Sequence, residues 1–325
     1  MPRLLLALVA AAVALSACGD SDEGGMSPAP PQPAAAKPAD FPSAKGKTLA
    51  QLSKGLSQGA VLKVSSLNSQ EVGDRNRFSF ALVDRADKQL DVSEVAIYTA
   101  NADGTEAHGP FVAHKESLNV STPYRSQLTA SDLASGDTFY VANPSWRSEG
   151  RHTIVALARL DGRLVLADSP LPIPVAAKGG PPDPGERAIK VHTETPADVG
   201  GNLKKITTRV PAATELLKTD FADVVGKKPV VLLFATPALC QSRTCGPVVD
   251  IAEEVRARYG QGVTFIQQEI YVDNNPEKGP RPQVSRWRLP SEPWAFVIDR
   301  HGKISARFEG VFSVGELARA VDQVK

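Results

Sequence analysis

Residues 230–247 of this 325-residue chain read VVLLFATPALCQSRTCGP, and this stretch decides the fold of the C-terminal part. Its first five residues are all apolar, which is typical of a strand buried on both faces of a sheet. Cys240 and Cys245 follow soon after that strand. Gly246 suits the N-cap of a helix and Pro247 its first position, so we expect a loop from Cys240 to Cys245 ahead of the helix.

The spacing of the two cysteines limits how they can pair. On a regular helix, positions i and i+5 have Cα atoms about 8.7 Å apart, whereas a disulfide needs Cα atoms within about 7 Å. A loop between Cys240 and Cys245 would allow the disulfide to close. It would also hold both sulfurs near a helix N-terminus, where partial positive charge favours thiolates. Arg243 would add to this effect, and Asp250 would oppose it if it faced the sulfurs.

Strand and helix patterns continue on both sides of this stretch. Ahead of it we expect a short strand at 206–210 and a helix near 213–225. The elements predicted after it are a helix that stops at Gly260, a strand at 263–270, a short helix at 284–287, a hairpin of 295–298 and 303–308, and a last helix opened by a Ser313–Glu316 capping box.

The order β-α-β-α-β-α-β-β-α, with a cysteine pair between the central strand and its helix, resembles thioredoxin. The resemblance covers about residues 206–325. Residues 234–240, FATPALC, resemble the strand end that leads to the family's first active-site cysteine. Residues 289–298, LPSEPWAFVI, resemble the segment with the family's cis-proline, which matches Pro293, and residues 299–303 resemble the following hairpin turn.

This resemblance implies an α/β thioredoxin-like domain that exchanges thiols and disulfides, and no cofactor is expected. Cys240 would be the attacking thiol and Cys245 the resolving one. Glu292, Pro293 and Trp294 would form the substrate-binding segment, with the backbone of Glu292 presented to an extended partner. An acid at that position would favour basic partner segments.

The chain departs from the family pattern in three ways. Thioredoxins have two residues between their cysteines and usually a tryptophan before the first, whereas this chain has four residues and Leu239. The Gly-Pro pair that lies between the family's cysteines follows the second one here, as Gly246-Pro247. Residues 230–234 contain no ionisable side chain, so the family's buried acid, with its proton-relay role, has no counterpart on that strand.

Two other functions fit the cysteine pair. Exported disulfides usually persist oxidised, so the pair would be a structural disulfide in a redox-inert binding lipoprotein. Two thiolates also bind soft copper ions, and Sco-type copper proteins resemble this chain in having two cysteines and a later histidine, here His301. His301 falls at a predicted hairpin tip, which favours a solvated turn residue, and we assign no metal site.

The N-terminus resembles a bacterial lipoprotein signal. Arg3 gives a positive start, and residues 4–15 are an apolar run too short to span a bilayer as a helix. The sequence Leu15-Ser16-Ala17-Cys18 resembles a lipobox. The resemblance implies a diacylglyceryl group on Cys18 and a lipid-anchored protein on the extracytoplasmic side of the cell membrane. Its partners there would be protein thiols and disulfides and an unidentified electron partner.

Proline-rich segments divide the chain into regions. We expect a signal peptide and lipobox at 1–18, a Pro/Ala-rich tether at 19–50, a first domain at 55–175, a linker at 176–200 and the thioredoxin-like domain at 201–325. Alternating residues at 78–83 indicate a strand in the first domain, and Asp161-Gly162 between two apolar runs indicates a two-residue hairpin. Repeated short strands favour an all-β, immunoglobulin-like sandwich for this domain.

Charge and histidine usage argue against several classes of function. The chain has 37 Lys and Arg against 36 Asp and Glu, a net charge of +1, without a basic patch for nucleic acid. His108, His114 and His152 lack the tight spacing of a metal site. With Cys18 lipidated, Cys240 and Cys245 are the cysteines left to pair with each other.

Overall fold

A computed structural model describes residues 36–65, 70–74, 76–132, 136–177, 180–240 and 245–325. Residues 35–325 form one compact unit. The predicted signal peptide, Cys18 and most of the predicted tether lie outside the described residues. Within the described part of the chain, no helix is both long and apolar enough to cross a membrane.

Among the described residues, nine strands make up the first part of the compact unit. They are β1 (Gln58–Val64), β2 (Gln70–Glu71), β3 (Phe78–Val83), β4 (Val95–Asn101), β5 (His108–Ser117), β6 (Thr138–Ala142), β7 (Gly150–Leu160), β8 (Arg163–Asp168) and β9 (Ile173–Ala176). Seven of them form a closed barrel in the order β7-β4-β5-β6-β3-β1-β8, because β8 pairs back with β7. The barrel sheet is mixed, since β1 and β8 run parallel while β1 and β3 run antiparallel.

The expected immunoglobulin-like sandwich is not confirmed, and the closed barrel stands in its place. Strand β7 is 11 residues long and pairs with β4 on one side and with β8 and β9 on the other. Both sides of β7 are therefore hydrogen-bonded, so the sheet has no break there at which two layers would separate. The hairpin at Asp161-Gly162 is confirmed between β7 and β8, with positive φ of 49° and 76° at its two residues, as a type I′ turn requires.

The last part of the predicted tether packs on the barrel. Phe41, Leu49 and Leu52 are buried in one apolar cluster with Tyr98, and Leu49–Leu52 form helix α1. The Tyr98 hydroxyl donates a hydrogen bond to the carbonyl of Pro42 at 2.7 Å. Because this segment carries three large apolar side chains, burial against the barrel is more favourable than an extended, solvated conformation.

Four further strands form a second sheet in the order β11-β10-β12-β13. They are β10 (Val230–Phe234), β11 (Thr264–Gln268), β12 (Trp294–Ile298) and β13 (Ile304–Glu309). The remaining helices are α2 (Gln127–Asp132), α3 (Phe221–Val224), α4 (Cys245–Tyr259), α5 (Pro282–Arg286) and α6 (Val314–Asp322). Strand β11 runs parallel to β10, whereas β12 is antiparallel to both β10 and β13. From β10 onward, this α/β order is the one that the thioredoxin resemblance implies.

Two of the predicted elements are wrong. Residues 206–210 form no strand, and the helix predicted near 213–225 is replaced by a 3-10 turn at Thr214–Leu216 and the short helix α3. The N–H of Thr208 donates to the carboxylate of Glu269 rather than to a neighbouring strand. A buried side chain therefore takes the place of the sheet partner that the sequence pattern predicts.

The predicted linker runs along the edge of the second sheet. Gly185 N donates to Ile304 O at 2.8 Å, and Ile304 N donates to Glu186 O at 2.9 Å. Val191 is buried in the same apolar cluster as Trp287. The linker therefore pairs with β13, which as an edge strand would otherwise present unpaired backbone groups.

The barrel and the second sheet share a hydrophobic core around α4. Leu118 and Phe139 from the barrel region lie in one buried cluster with Val248 of α4 and Phe312. Ten residues of α4 are buried. The helix is thus covered by the barrel on one side and by its own sheet on the other, which explains why apolar residues are not confined to one stripe.

A buried ion pair connects these two parts of the unit. The side chains of Arg209 and Asp250 are 3% and 0% exposed, and Arg209 Nε donates to Asp250 Oδ1 at 2.7 Å. Arg209 also donates to the carbonyl of Tyr124 at 2.7 Å, and Ser126 N donates to Asp250 Oδ2 at 2.7 Å. Tyr124 and Ser126 come from the barrel region. The barrel region therefore supplies one hydrogen-bond partner to Arg209 and one to Asp250.

We expect Arg209→Met to lower the free energy of unfolding by about 3–5 kcal/mol, because it leaves Asp250 buried without its cation. Urea unfolding followed by circular dichroism measures this change. The matched control is Arg258→Met, which removes a half-exposed partner of Glu254 and costs about 0.5 kcal/mol or less. An equal decrease in the free energy of unfolding in the two variants would contradict the expected contribution of the buried ion pair.

Candidate functional site

The thiol site lies where β10 ends and α4 begins. The chain leaves β10 at Phe234 and reaches Cys240 through residues 235–239, and residues 241–244 lie outside the described part. We name residues 235–240 the cysteine segment. Cys245 is already helical in α4, so the prediction that it belongs to a loop ahead of the helix is wrong. Pro247 is tolerated there because N–H groups of the first turn have no partner within the helix.

The two thiols differ sharply in exposure. Cys240 is partly exposed and Cys245 is completely buried, and both are reduced thiols. Their side chains are hydrogen-bonded to each other, and a backbone hydrogen bond from Thr236 also reaches the sulfur of Cys245. Burial, together with the hydrogen bond to Cys240 and its charge, raises the pKa of Cys245 well above its usual value. The accessible thiol is therefore Cys240.

The segment around Pro293 forms the facing side of the site. The Glu292–Pro293 peptide bond is cis, as the resemblance implies. Trp294, the first residue of β12, pairs with Phe234, the last residue of β10. This register places Pro293 next to the start of the cysteine segment.

An acid and a phenol lie close to the thiols. Tyr271 donates a hydrogen bond from its hydroxyl to Glu292 Oε1 at 3.1 Å. Burial and then the nearby charge of Cys240 raise the pKa of Glu292 above its usual value. Burial, with the charge of Glu292 next in size, raises the pKa of Tyr271 to about 12. All three shifted groups, Cys245 included, are thus held towards their neutral forms.

Trp294 does not lie at the surface of the site. It is fully buried, its ring stacks on Phe296 with centroids 5.8 Å apart, and its Nε1 donates to Ser291 Oγ at 3.1 Å. Because side chains alternate across a strand, the residue after Pro293 points into the sheet core. Trp294 therefore supports the Pro293 segment from within the sheet core. Glu292, in contrast, is partly exposed beside the thiols.

The histidine of the copper alternative lies far from the thiols. His301 is in the β12–β13 hairpin beyond Ile298, and Ile298 pairs with Val230 at the start of β10. The cysteines follow the other end of that strand, so five residues of strand separate the two ends, roughly 16 Å. The two thiols and His301 therefore do not form one ligand set.

Another group of possible metal donors lies elsewhere in the described residues. His114, Glu116 and Glu316 have donor atoms within 4.8 Å of one another. Arg319 contacts Glu116 at 3.0 Å, and Arg77 contacts Glu316 at 2.9 Å. Since both carboxylates already have arginine partners, this group is accounted for as a network of ion pairs.

Sequence reasoning missed three residues of the site: Thr208, Glu269 and Tyr271. Glu269 and Tyr271 follow β11, which is parallel to β10, and parallel strands bring their carboxyl ends to the same edge of a sheet. This property of parallel strands could have indicated Glu269 and Tyr271 from the sequence. Thr208 gave no such signal, because its segment was predicted to be a strand.

Comparisons with known proteins give partial similarities. No protein-family model matches the sequence, and no curated protein matches it significantly. A thiol:disulfide interchange protein of the thioredoxin family from Chlorobium tepidum is similar in structure, with 17% identity and a TM-score of 0.31 over 46% of this chain and 99% of its own. A protein of the thioredoxin-like superfamily has 17% identity and a TM-score of 0.26, over 35% of this chain and 87% of its own.

We expect iodoacetamide to alkylate Cys240 at least about tenfold faster than Cys245 in the reduced, folded protein at pH 8. Cys240 is accessible, whereas the raised pKa of Cys245 lowers its thiolate fraction below that of an ordinary thiol. The rate at Cys245 should rise only as the pH exceeds the usual thiol pKa. Mass spectrometry of the labelled peptides separates the sites, and urea-unfolded protein, in which both cysteines should react alike, is the control. Equal rates in the folded protein would contradict this assignment.

Proposed function

We propose that this chain is a thiol–disulfide oxidoreductase of extracytoplasmic proteins, with Cys240 as the attacking thiol and Cys245 as the resolving thiol. The observation that carries the proposal is the asymmetry of the hydrogen-bonded pair, in which Cys240 is partly exposed and Cys245 is buried in α4. An attacking thiol needs access as well as thiolate character. A resolving thiol needs only to reach its neighbour.

The exchange proceeds in two balanced steps. The thiolate of Cys240 attacks one sulfur of a partner disulfide, forms a mixed disulfide and releases the other partner sulfur as a thiolate. Cys245, after losing its proton, attacks the sulfur of Cys240 and displaces the second partner thiolate. The pair ends as a disulfide and the partner as a dithiol; the reverse sequence oxidises a partner, and the relative reduction potentials set the direction.

Negative charge beside the pair affects the pKa of Cys245. Glu292 is partly buried next to the thiols, and its charge contributes to the raised pKa of Cys245. A partner segment with a basic side chain near Glu292 would offset this charge, lower the pKa of Cys245 and so favour the second step of the exchange. We therefore propose that basic, extended segments are preferred partners, with the Glu292–Pro293 backbone beside them.

We also propose that the protein acts at the cell membrane, on its extracytoplasmic side. The lipobox-like sequence ending at Cys18 supports a diacylglyceryl anchor, and two acyl chains are sufficient for stable membrane attachment. Such a compartment also permits Cys240 and Cys245 to cycle through a disulfide.

In the native host, Cys245→Ser should accumulate mixed disulfides with extracytoplasmic proteins, because the resolving thiol is missing. Cys240→Ser is the matched control and should form none. Non-reducing electrophoresis with immunoblotting detects the adducts. Adducts only in Cys240→Ser would reverse the two roles. If neither variant forms adducts and the wild-type pair has a potential well below about −300 mV, the disulfide is structural and the proposed function is wrong.

Cys18→Ala should move the protein from the membrane fraction to the soluble fraction, because it removes the acylated thiol. Fractionation and immunoblotting of the full-length chain measure the distribution. Cys240→Ala keeps Cys18 and should stay with the membrane. Retention of Cys18→Ala in the membrane fraction would refute the lipid anchor and leave the thiol chemistry unaffected.

A further inference from the structure

A buried acid lies directly behind the cysteine segment. Glu269 follows the last residue of β11 and is 0% exposed. Its Oε1 accepts hydrogen bonds from Thr208 N at 2.5 Å and from Thr208 Oγ1 at 2.8 Å. Its Oε2 has no partner in good hydrogen-bond geometry among the described atoms, although the Thr236 side chain lies close enough to lower the pKa of the carboxyl group. A carboxyl group that is buried at such cost is held for a reason other than core packing.

Thr208 connects this acid to the cysteine segment. The Thr208 hydroxyl accepts a hydrogen bond from Ala238 N at 3.0 Å while it donates to Glu269. Ala238 is two residues before Cys240. Glu269 Oε1 accepts from Thr208, so the Thr208 hydroxyl proton points to that oxygen and the hydroxyl lone pairs are free for Ala238.

The same strand end also holds the start of the cysteine segment. Ala235 N donates to the carbonyl of Gln268 at 3.0 Å, one residue before Glu269. The segment is thus held at residue 235 by backbone and at residue 238 by the Thr208 hydroxyl. Thr236, between these points, supplies the backbone hydrogen bond to the sulfur of Cys245. The position of Cys240 relative to Cys245 depends on both attachments.

We propose that Glu269 is a positioning residue of the thiol pair, which acts through Thr208 to hold the cysteine segment, and with it Cys240, beside Cys245. The inference rests on the proposed function, because the exchange requires Cys240 to be held close to Cys245. When the second step occurs, Cys245 attacks the sulfur of Cys240, the bond from Cys240 to the partner breaks, and the partner leaves as a thiolate. Holding Cys240 in place raises the effective concentration of one thiol at the other.

The surroundings of Glu269 act on its charge in opposite directions. Burial raises the pKa of Glu269, and the hydrogen bonds with Thr236 and Thr208 and the charge of Arg281 offset this shift in part. Arg281 itself contacts Glu194 and donates to the carbonyl of Lys205 at 2.8 Å. Arg281 is therefore a cation near Glu269 that has partners of its own, and the hydrogen-bonded oxygen of the acid is directed to Thr208.

Thr208→Val tests the proposal without removing the buried acid. It deletes the hydroxyl between Glu269 and Ala238 and keeps the side-chain shape and the Thr208 N–H donor. The matched control is Thr207→Val, the neighbouring buried threonine, whose hydroxyl instead donates to Gln267 Oε1 at 3.3 Å and accepts from Arg209 N at 3.2 Å. Circular dichroism and urea unfolding of the reduced full-length proteins verify that both variants fold.

Two measurements separate this inference from the proposed function. The first is the equilibrium between the dithiol and the disulfide in glutathione buffers, quenched and analysed by mass spectrometry. The second is the rate of alkylation of Cys240 by iodoacetamide, which requires no exchange. We expect Thr208→Val to lower the equilibrium constant for disulfide closure about fivefold and to change the alkylation rate about threefold or more, the size of one lost hydrogen bond. Thr207→Val should stay within about twofold of wild type in both.

A second pair of variants tests Glu269 itself. Glu269→Leu should reproduce the effect of Thr208→Val, whereas Glu269→Gln, which keeps an oxygen acceptor for Thr208, should restore most of the closure constant. Unchanged closure and alkylation in a folded Thr208→Val protein would overturn the inference, whatever Glu269→Leu does. Absence of any exchange in wild type, with altered alkylation in Thr208→Val, would instead refute the proposed function and leave the positioning role standing.

Discussion

The pairing of β10 on both of its sides is the constraint on which the rest of the site depends. All five residues of β10 are paired in register with β11 and with β12. The chain therefore leaves β10 at a point where β11 ends and β12 begins. The cysteine segment, Glu269 and Pro293 each lie within a few residues of these strand ends. A slip of one residue would turn every side chain of β10 to the opposite face and would break this arrangement.

Burial makes the two thiols of the site differ in how readily they carry negative charge. Burial raises the pKa values of Cys245, Glu292 and Tyr271, so each of these groups resists carrying charge. Of the two thiols, Cys240 is the one with access to water. In the proposed exchange the reactive charge is therefore best accommodated at Cys240, and the burial of Cys245 suits it to the intramolecular step. This division follows from burial and does not require the two-residue spacing found in thioredoxins.

The barrel is part of the support of the thiol site. Helix α4, which carries Cys245, is buried on most of its surface because barrel residues such as Phe139 join its hydrophobic cluster. The barrel region also supplies Tyr124 and Ser126 to the buried pair of Arg209 and Asp250. Asp250 is the fifth residue after Cys245 along α4. The position of the helix start thus depends on contacts between residues that are 85 and 124 positions apart in the sequence.

Local signals in the sequence were sufficient for several elements of this fold. The apolar run at 230–234 is β10, Asp161-Gly162 forms the β7–β8 hairpin, and Ser313 with Glu316 forms the predicted capping box. Helix α4 ends at Tyr259, immediately before Gly260, which has a positive φ of 53°. Each of these signals acts within a few residues, so it can be read without knowing what packs against it.

The tertiary structure alone decided how these elements combine. The barrel closes because β7 finds partners on both sides, and short-range alternation does not reveal partners. Residues 206–210 are not a strand because Thr208 binds the side chain of Glu269, 61 residues away. Trp294 is buried and Glu292 is not, although both belong to the segment predicted to bind substrate. Propensities, turns and caps are encoded locally, whereas pairing partners and burial arise from contacts between residues distant in the sequence.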